Sequence, residues 1–337
     1  MPKTPVVDVH AHFIPEALLP SIGSGKFEGL ALEETGGKTM LVIRGRRISP
    51  ATPRHRDLSL RIAPMDKMGV DVEAVSVVPP LVGYHLPVDQ AVPYCRLIND
   101  SIAEAISAYS KRFVGLANVP LQDPGSAVRE LSRAVEDLGM KGAQVGANVN
   151  AEDLGEERFL AFWEAAAGLD CFVFFHPNQA SLPAVERMKR YHLHNLIGNP
   201  LDTSLAIASL IFGGVLERWP NLKLCFAHAG GFVPYQIGRF DHAYGAREDV
   251  HSAIPEPPSH YFRRLYFDTI SHGRDALAFL VSKVGTGQVL LGTDYPADMA
   301  DDDPVKSVAG LALDPAGAAQ VLGGNATRLL GLDVESR

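Results

Sequence analysis

Short, almost wholly apolar runs of strand length recur along this chain, separated by segments with helical periodicity. That alternation limits the fold more than any other feature. The runs fall at 6–12, 74–78, 113–119, 143–146, 171–176, 223–228, 265–270 and 289–294, with helical segments at 91–109, 125–138, 159–167, 203–219 and 275–284 between them. Strands buried on both faces read as unbroken apolar runs, which is the mark of a parallel sheet covered by helices. The eight runs predict a closed (β/α)8 barrel rather than an open sheet, and 337 residues accommodate one of roughly 250 residues plus insertions. We expect one domain over 1–337, with 13–60 inserted as a lid after the first strand. Inside the lid, 39–48 reads as a small hairpin turning near Gly45. The closing segment 314–330, with Asn325 as a helix cap, is expected to seal the outside of the barrel.

Charge and cysteine usage narrow the class. Net charge is −8, which disfavours attraction to nucleic acid or to an anionic membrane surface. No 18-residue apolar run is present to span a bilayer. Residues 1–5 run directly into the first strand and leave no room for a leader peptide. Cys95, Cys171 and Cys225 are widely spaced and form no CxxC pair. The expectation is free thiols in a reducing cytoplasm.

The polar residues placed at strand ends point to chemistry. In Val6-Val7-Asp8-Val9-His10-Ala11-His12 two histidines stand two apart on an apolar strand, so their side chains share a face and can approach one metal ion. His176, His228 and Asp294 end three further runs. In a (β/α)8 barrel those ends converge at one mouth. A buried carboxylate such as Asp294 is costly alone, and a divalent cation offsets that cost; a salt bridge or a helix cap would do the same. The lid carries Arg44, Arg46, Arg47, Arg54, Arg56 and Arg61 with few acids. These form a solvated hairpin, or one of them reaches an anionic substrate.

His10-Ala11-His12, His176 at the end of the fifth run, Ala227-His228-Ala229-Gly230-Gly231 and Gly292-Thr293-Asp294-Tyr295-Pro296 together resemble the amidohydrolase superfamily. Met65-Asp66-Lys67-Met68-Gly69-Val70, Arg112-Phe113-Val114-Gly115-Leu116, Ile211-Phe212-Gly213-Gly214-Val215 and Gly238-Arg239 extend the resemblance to its amidohydrolase-2 branch of metal-dependent nonoxidative decarboxylases. The resemblance implies a carbon–carbon lyase with a single divalent ion, Zn2+ by preference and Mn2+ as the other choice. It implies His10, His12, His176 and Asp294 as ligands, with Asp294 and His228 as the catalytic pair and His228 as the acid/base. Binuclear relatives carry a carbamylated lysine at the end of the fourth barrel strand; the fourth run here, 143–146, has none, and Lys141 precedes it. Arg239 and Arg247 match arginines that bind the substrate of a neighbouring subunit, which implies a homodimer and a small carboxylated substrate, aromatic or muconate-type.

The chain also departs from its muconate-type relatives, with His192 and Asn195 in place of tryptophans and Ala297 in place of an aromatic residue. A differently shaped pocket is therefore expected. The same constellation of metal, water and histidine serves hydrolases and hydratases of the superfamily, so ring-opening hydrolysis stands as the alternative activity.

Overall fold

The apolar runs become strands in a computed structural model that describes residues 4–178 and 185–333. Met1-Pro2-Lys3, part of the run-in to the first strand, lie outside the described residues. In chain order the strands are β1 (Val7–Phe13), β2 (Leu30–Thr35), β3 (Lys38–Ile43), β4 (Arg46–Pro50), β5 (Val72–Val77), β6 (Phe113–Gly115), β7 (Ala117–Asn118), β8 (Gly142–Gly146), β9 (Asn148–Val149), β10 (Glu152–Asp153), β11 (Phe172–His176), β12 (Lys223–Phe226), β13 (Tyr266–Asp268) and β14 (Val289–Leu290). One parallel order runs β1-β5-β6 and another β7-β8-β11-β12-β13-β14. β6 and β7 are halves of one stave broken at Leu116, whose N–H donates to the Val75 carbonyl at 2.9 Å. On the far side the Val9 N–H donates to the Leu291 carbonyl (3.0 Å) and the His12 N–H to that of Tyr295 (2.8 Å), closing the ring. The structure is a (β/α)8 barrel.

Its helices match the periodic segments: Val88–Ser107, Pro124–Glu136, Leu160–Gly168, Asn199–Phe212 and Arg274–Val284 lie outside the strands that precede them. At one end Ala326, Leu329, Leu330 and Leu332 pack with Val7, Val9, Val72, Phe172 and Leu290 in a single buried cluster. Burial of this kind stabilises by roughly 25 cal/mol per Å² of apolar surface. Asn325 is not a helix cap. It lies within a run of consecutive helical turns from Pro315 to Leu329, and its side-chain amide donates to the carbonyls of Thr286 (2.8 Å) and Val289 (2.9 Å), tying that run to the start of β14.

The lid holds more order than a lone hairpin. β2, β3 and β4 form an antiparallel sheet. The β3–β4 turn is Arg44-Gly45, both at positive φ, as predicted near Gly45. The extra strand β2 joins β3 through Gly36-Gly37, with φ of 59° and 74°, the left-handed pair that a two-residue hairpin turn requires. Arg61 anchors the end of the lid. Fully buried, it pairs with Glu73 of β5 at 3.2 Å and donates to the carbonyls of Arg54 (3.0 Å) and His12.

Candidate metal centre and active site

The site begins with an irregularity in β1. Its parallel pairing with β5 slips by one residue between Asp8 and Ala11, a bulge of the kind that re-aims side chains. The His10 N–H turns to the Asp8 carboxylate (2.9 Å), which also accepts from the N–H (3.1 Å) and O–H (2.6 Å) of Thr293. The Nε2 atoms of His10 and His12 then stand 3.1 Å apart, both buried. Asp294 follows β14 with φ of +61°. Its Oδ1 lies 3.3 Å from His10 Nε2 and 3.0 Å from His12 Nε2. The glycine of the Gly-Thr-Asp-Tyr-Pro turn has a steric reason. A Cβ on Gly292 would sit 3.0 Å from that of Asp268 and 3.1 Å from that of His10, so a side chain there would crowd both residues and one or both would have to shift.

His176 closes the group from the end of β11. Its Nδ1 donates to the Pro177 carbonyl at 2.8 Å, and its Nε2 is buried without a hydrogen-bond partner among the described residues. One ligand atom from each of His10, His12, His176 and Asp294 lies within 4.8 Å of the others. The protonation states are shaped by mutual contact. Burial works against the Asp294 carboxylate, but the charge of His10 and hydrogen bonds from His10, His12 and His228 hold its pKa well below the usual range. Burial would lower His10, yet Asp294 and Asp268 raise it to about 10. Burial pushes His12 down to about 4 against the pull of Asp294. Burial, joined by the charges of His12, His228 and His10, takes His176 well below its ordinary value. His12 and His176 are thus neutral beside an ionised carboxylate, the states in which these groups bind a metal, while His10, which Asp294 and Asp268 keep protonated, gives up a proton to join them. A buried Nε2 aimed at that carboxylate with nothing to bond fits a divalent cation in their midst.

His228 stands apart from these four. It follows β12 in a turn where His228 and Ala229 both have φ of 55°, a left-handed conformation that costs about 1–3 kcal/mol per residue unless its surroundings enforce it. Asp268 enforces it: the last residue of β13, its carboxylate accepts the N–H groups of His228 (3.0 Å) and Ala229 (2.8 Å). Asp268 also accepts from His10 Nδ1 at 2.7 Å, so one carboxylate orients a candidate ligand and holds the His228 turn. His228 Nε2 is 3.6 Å from Asp294 Oδ2. Its ring lines a 460 Å³ cavity with Phe232, Tyr235, Ile270, Phe279 and Asp294. From that rim it can exchange a proton with a molecule in the cavity.

The structure thus brings together His10, His12, His176, His228 and Asp294. Within one chain it does not bring Arg239 or Arg247 into that group. Arg239 is exposed on the helix Val233–Ala246, and the exposed Arg247 pairs with Asp249 at 2.9 Å. β8 presents Gln144 and no lysine. Asp268, Ser76 and Gln144 were missed from sequence. A lone acid in the apolar run 265–270 was the available signal for Asp268; a serine and a glutamine in buried strands carry none.

Comparison with known proteins fixes the family. The family model described as Amidohydrolase matches residues 7–332. The chain belongs to the amidohydrolase family. This amidohydrolase is 35% identical over 332 residues to the 2-amino-3-carboxymuconate-6-semialdehyde decarboxylase of Dictyostelium discoideum, covering 97% of this chain and 92% of that one. Its fold is similar to that of the 5-carboxyvanillate decarboxylase of Sphingomonas paucimobilis, with a TM-score of 0.83, 23% identity and coverage of 98% and 100%. It is also similar to the dihydroxybenzoic acid decarboxylase of Polaromonas sp. JS666, solved with bound manganese and 2-nitroresorcinol, with a TM-score of 0.79, 23% identity and 98% coverage of each chain.

Proposed function

We propose that this amidohydrolase is a metal-dependent nonoxidative decarboxylase of a small aromatic or muconate-type acid, the barrel and its lid working as one domain. The observation that carries this reading is the buried convergence of His10, His12, His176 and Asp294 directly beside a cavity lined by His228 and His272, of which His228 is the imidazole that stands against Asp294, at 3.6 Å. The relatives named above, all decarboxylases of carboxylated compounds, support it. We assign His10, His12, His176 and Asp294 to one divalent ion. Three imidazoles and a carboxylate suit Zn2+, our assignment, and also Mn2+. Such an ion would polarise substrate oxygens and lower the pKa of a bound water toward ~7.

The chain's own part is proton movement and positioning. His228 delivers a proton from Nε2 to the carbon that bears the carboxylate. The electron pair of the breaking C–C bond then restores the conjugated system as CO2 leaves, and no redox change occurs. Asp268 keeps the His228 turn in its left-handed shape so that Nε2 faces the cavity. Phe232, Tyr235, Ile270 and Phe279 supply apolar walls for a flat, unsaturated substrate.

No lysine or arginine lines that cavity among the described residues, so positive charge for the substrate comes from elsewhere. Arg44 and Arg46 of the lid line a separate 400 Å³ cavity with Tyr84 and Asn178. Arg239 lies on the same helix as Tyr235, which is 80% exposed, an arrangement suited to a homodimer in which Arg239 and Arg247 serve the partner's site. Cys95, Cys171 and Cys225 are buried and unpaired, in keeping with a cytoplasmic enzyme, and no described helix is long and apolar enough to cross a membrane. The test is a panel of hydroxylated benzoates and carboxymuconates scored for CO2. Release without uptake of water supports the reading; ring opening with water uptake and no CO2 overturns it in favour of a hydrolase.

A further inference from the structure

For each histidine to offer Nε2 to a metal, its Nδ1 must carry the proton and find an acceptor. His10 uses the Asp268 carboxylate at 2.7 Å and His176 the Pro177 carbonyl at 2.8 Å, both groups that accept and cannot donate. His12 has no such partner. Its Nδ1 faces the hydroxyl of Ser76, 3.5 Å away and opposite His12 in the β1–β5 register. A hydroxyl can donate or accept, so Ser76 alone would not decide which nitrogen of His12 holds the proton.

Gln144 removes that freedom. Its amide nitrogen lies 2.9 Å from the Val77 carbonyl, which can only accept, so the amide orientation is fixed. The other end, Oε1, is then the atom 2.6 Å from Ser76 Oγ, and an amide oxygen cannot donate. Ser76 has one proton and two acceptors in reach, Gln144 Oε1 at 2.6 Å and the Ala11 carbonyl at 3.3 Å; the nearer one, Gln144, takes it, which leaves a serine lone pair toward His12. Gln144 and Ser76 are 0% and 1% exposed, so bulk water does not compete for these bonds.

We propose that Ser76 and Gln144 form a positioning relay that sets the His12 tautomer and so aims its Nε2 lone pair at the metal. Val77 and Ser76 on β5 and Gln144 on β8 tie two staves of the barrel to the one ligand that lacks a direct acceptor. The proposal rests on the metal reading above. It adds two residues that touch neither metal nor substrate and act through His12.

The test measures metal binding by the full chain. Wild type, Ser76→Ala, Gln144→Leu and the double variant are stripped of metal, checked by metal-free melting temperature and titrated with Zn2+ against a competing chelator. Each single variant should weaken Zn2+ binding by about 10-fold or more, the range seen when a ligand's hydrogen-bond partner is lost. The double variant should be no weaker than the worse single, because one relay breaks only once. Ser76→Thr, which keeps the hydroxyl, should restore binding. Unchanged affinity in well-folded single variants, or losses that multiply in the double, would overturn the relay while wild-type binding leaves the metal reading standing. A wild-type chain that takes up no Zn2+ or Mn2+ overturns both. Should Gln144→Leu fail to fold, Ser76→Ala against Ser76→Thr carries the test, since equal affinities there would sink the relay.

Discussion

His228 and Asp268 divide a task that a single residue could not perform. Five imidazole and carboxylate side chains meet at the barrel mouth, and four of them point at one another. His228 is the one whose Nε2 stays 3.6 Å from Asp294 and whose ring reaches the cavity. His228→Ala should therefore lower turnover by about 10²–10⁴-fold, the usual contribution of a general acid, with metal content unchanged. Measured kcat together with metal analysis of the same sample checks this, and near-normal turnover in a metal-loaded variant would remove His228 from the mechanism. Asp268→Asn keeps the shape but turns one acceptor into a donor. It should weaken the His10 bond and the His228 turn together, lowering both metal affinity and kcat, whereas a variant affecting one alone would separate the two roles. His10, His12, His176, His228 and Asp294 stood out in the sequence because ligand-type residues there lie at or near the ends of apolar runs. The roles of Asp268 and Gln144 did not, because each is defined by partners on other strands: β1 and β12 for Asp268, β5 for Gln144.

At the scale of elements, strand periodicity located the staves but not the fine pairing that makes them a site. The run 6–12 read as a regular strand, and its residue spacing gives no sign of the bulge between Asp8 and Ala11. That bulge exists because Asp8 and Thr293 satisfy the backbone locally, a contact 285 residues apart in sequence. The lid was legible as an insertion, and Gly36-Gly37 was an overlooked hairpin signal. Arg61 is where lid and barrel join, and its pair with Glu73 is wholly buried. Removing one partner of such a pair leaves an uncompensated charge, which costs about 3–5 kcal/mol. Arg61→Leu should lower the midpoint of urea unfolding accordingly, and Arg61→Leu with Glu73→Leu should recover much of the loss. A double variant as unstable as the single would mean that Arg61 matters for its bonds to the Arg54 and His12 carbonyls rather than for its charge.

On the scale of the whole molecule, the barrel sets four candidate ligands from β1, β11 and the end of β14 around one point, and among the described residues no lysine or arginine lines the cavity beside them. Arg239 faces outward beside the exposed Tyr235, so its proposed role in binding substrate requires a second subunit. A guanidinium grips a carboxylate through two parallel hydrogen bonds, which lysine cannot reproduce. Arg239→Lys should therefore raise KM with little change in kcat. Complementation separates action across the interface from action within a chain. Arg239→Ala and His228→Ala chains, each assayed at low substrate and each nearly inactive alone, are mixed, unfolded and refolded together. If Arg239 serves the partner, half of the dimers are hybrids and each hybrid holds one intact site, with His228 from one chain and Arg239 from the other. Activity should then return to about a quarter of the wild-type level for a symmetric two-fold dimer. If Arg239 acts within its own chain, no site in the mixture is whole and no activity returns.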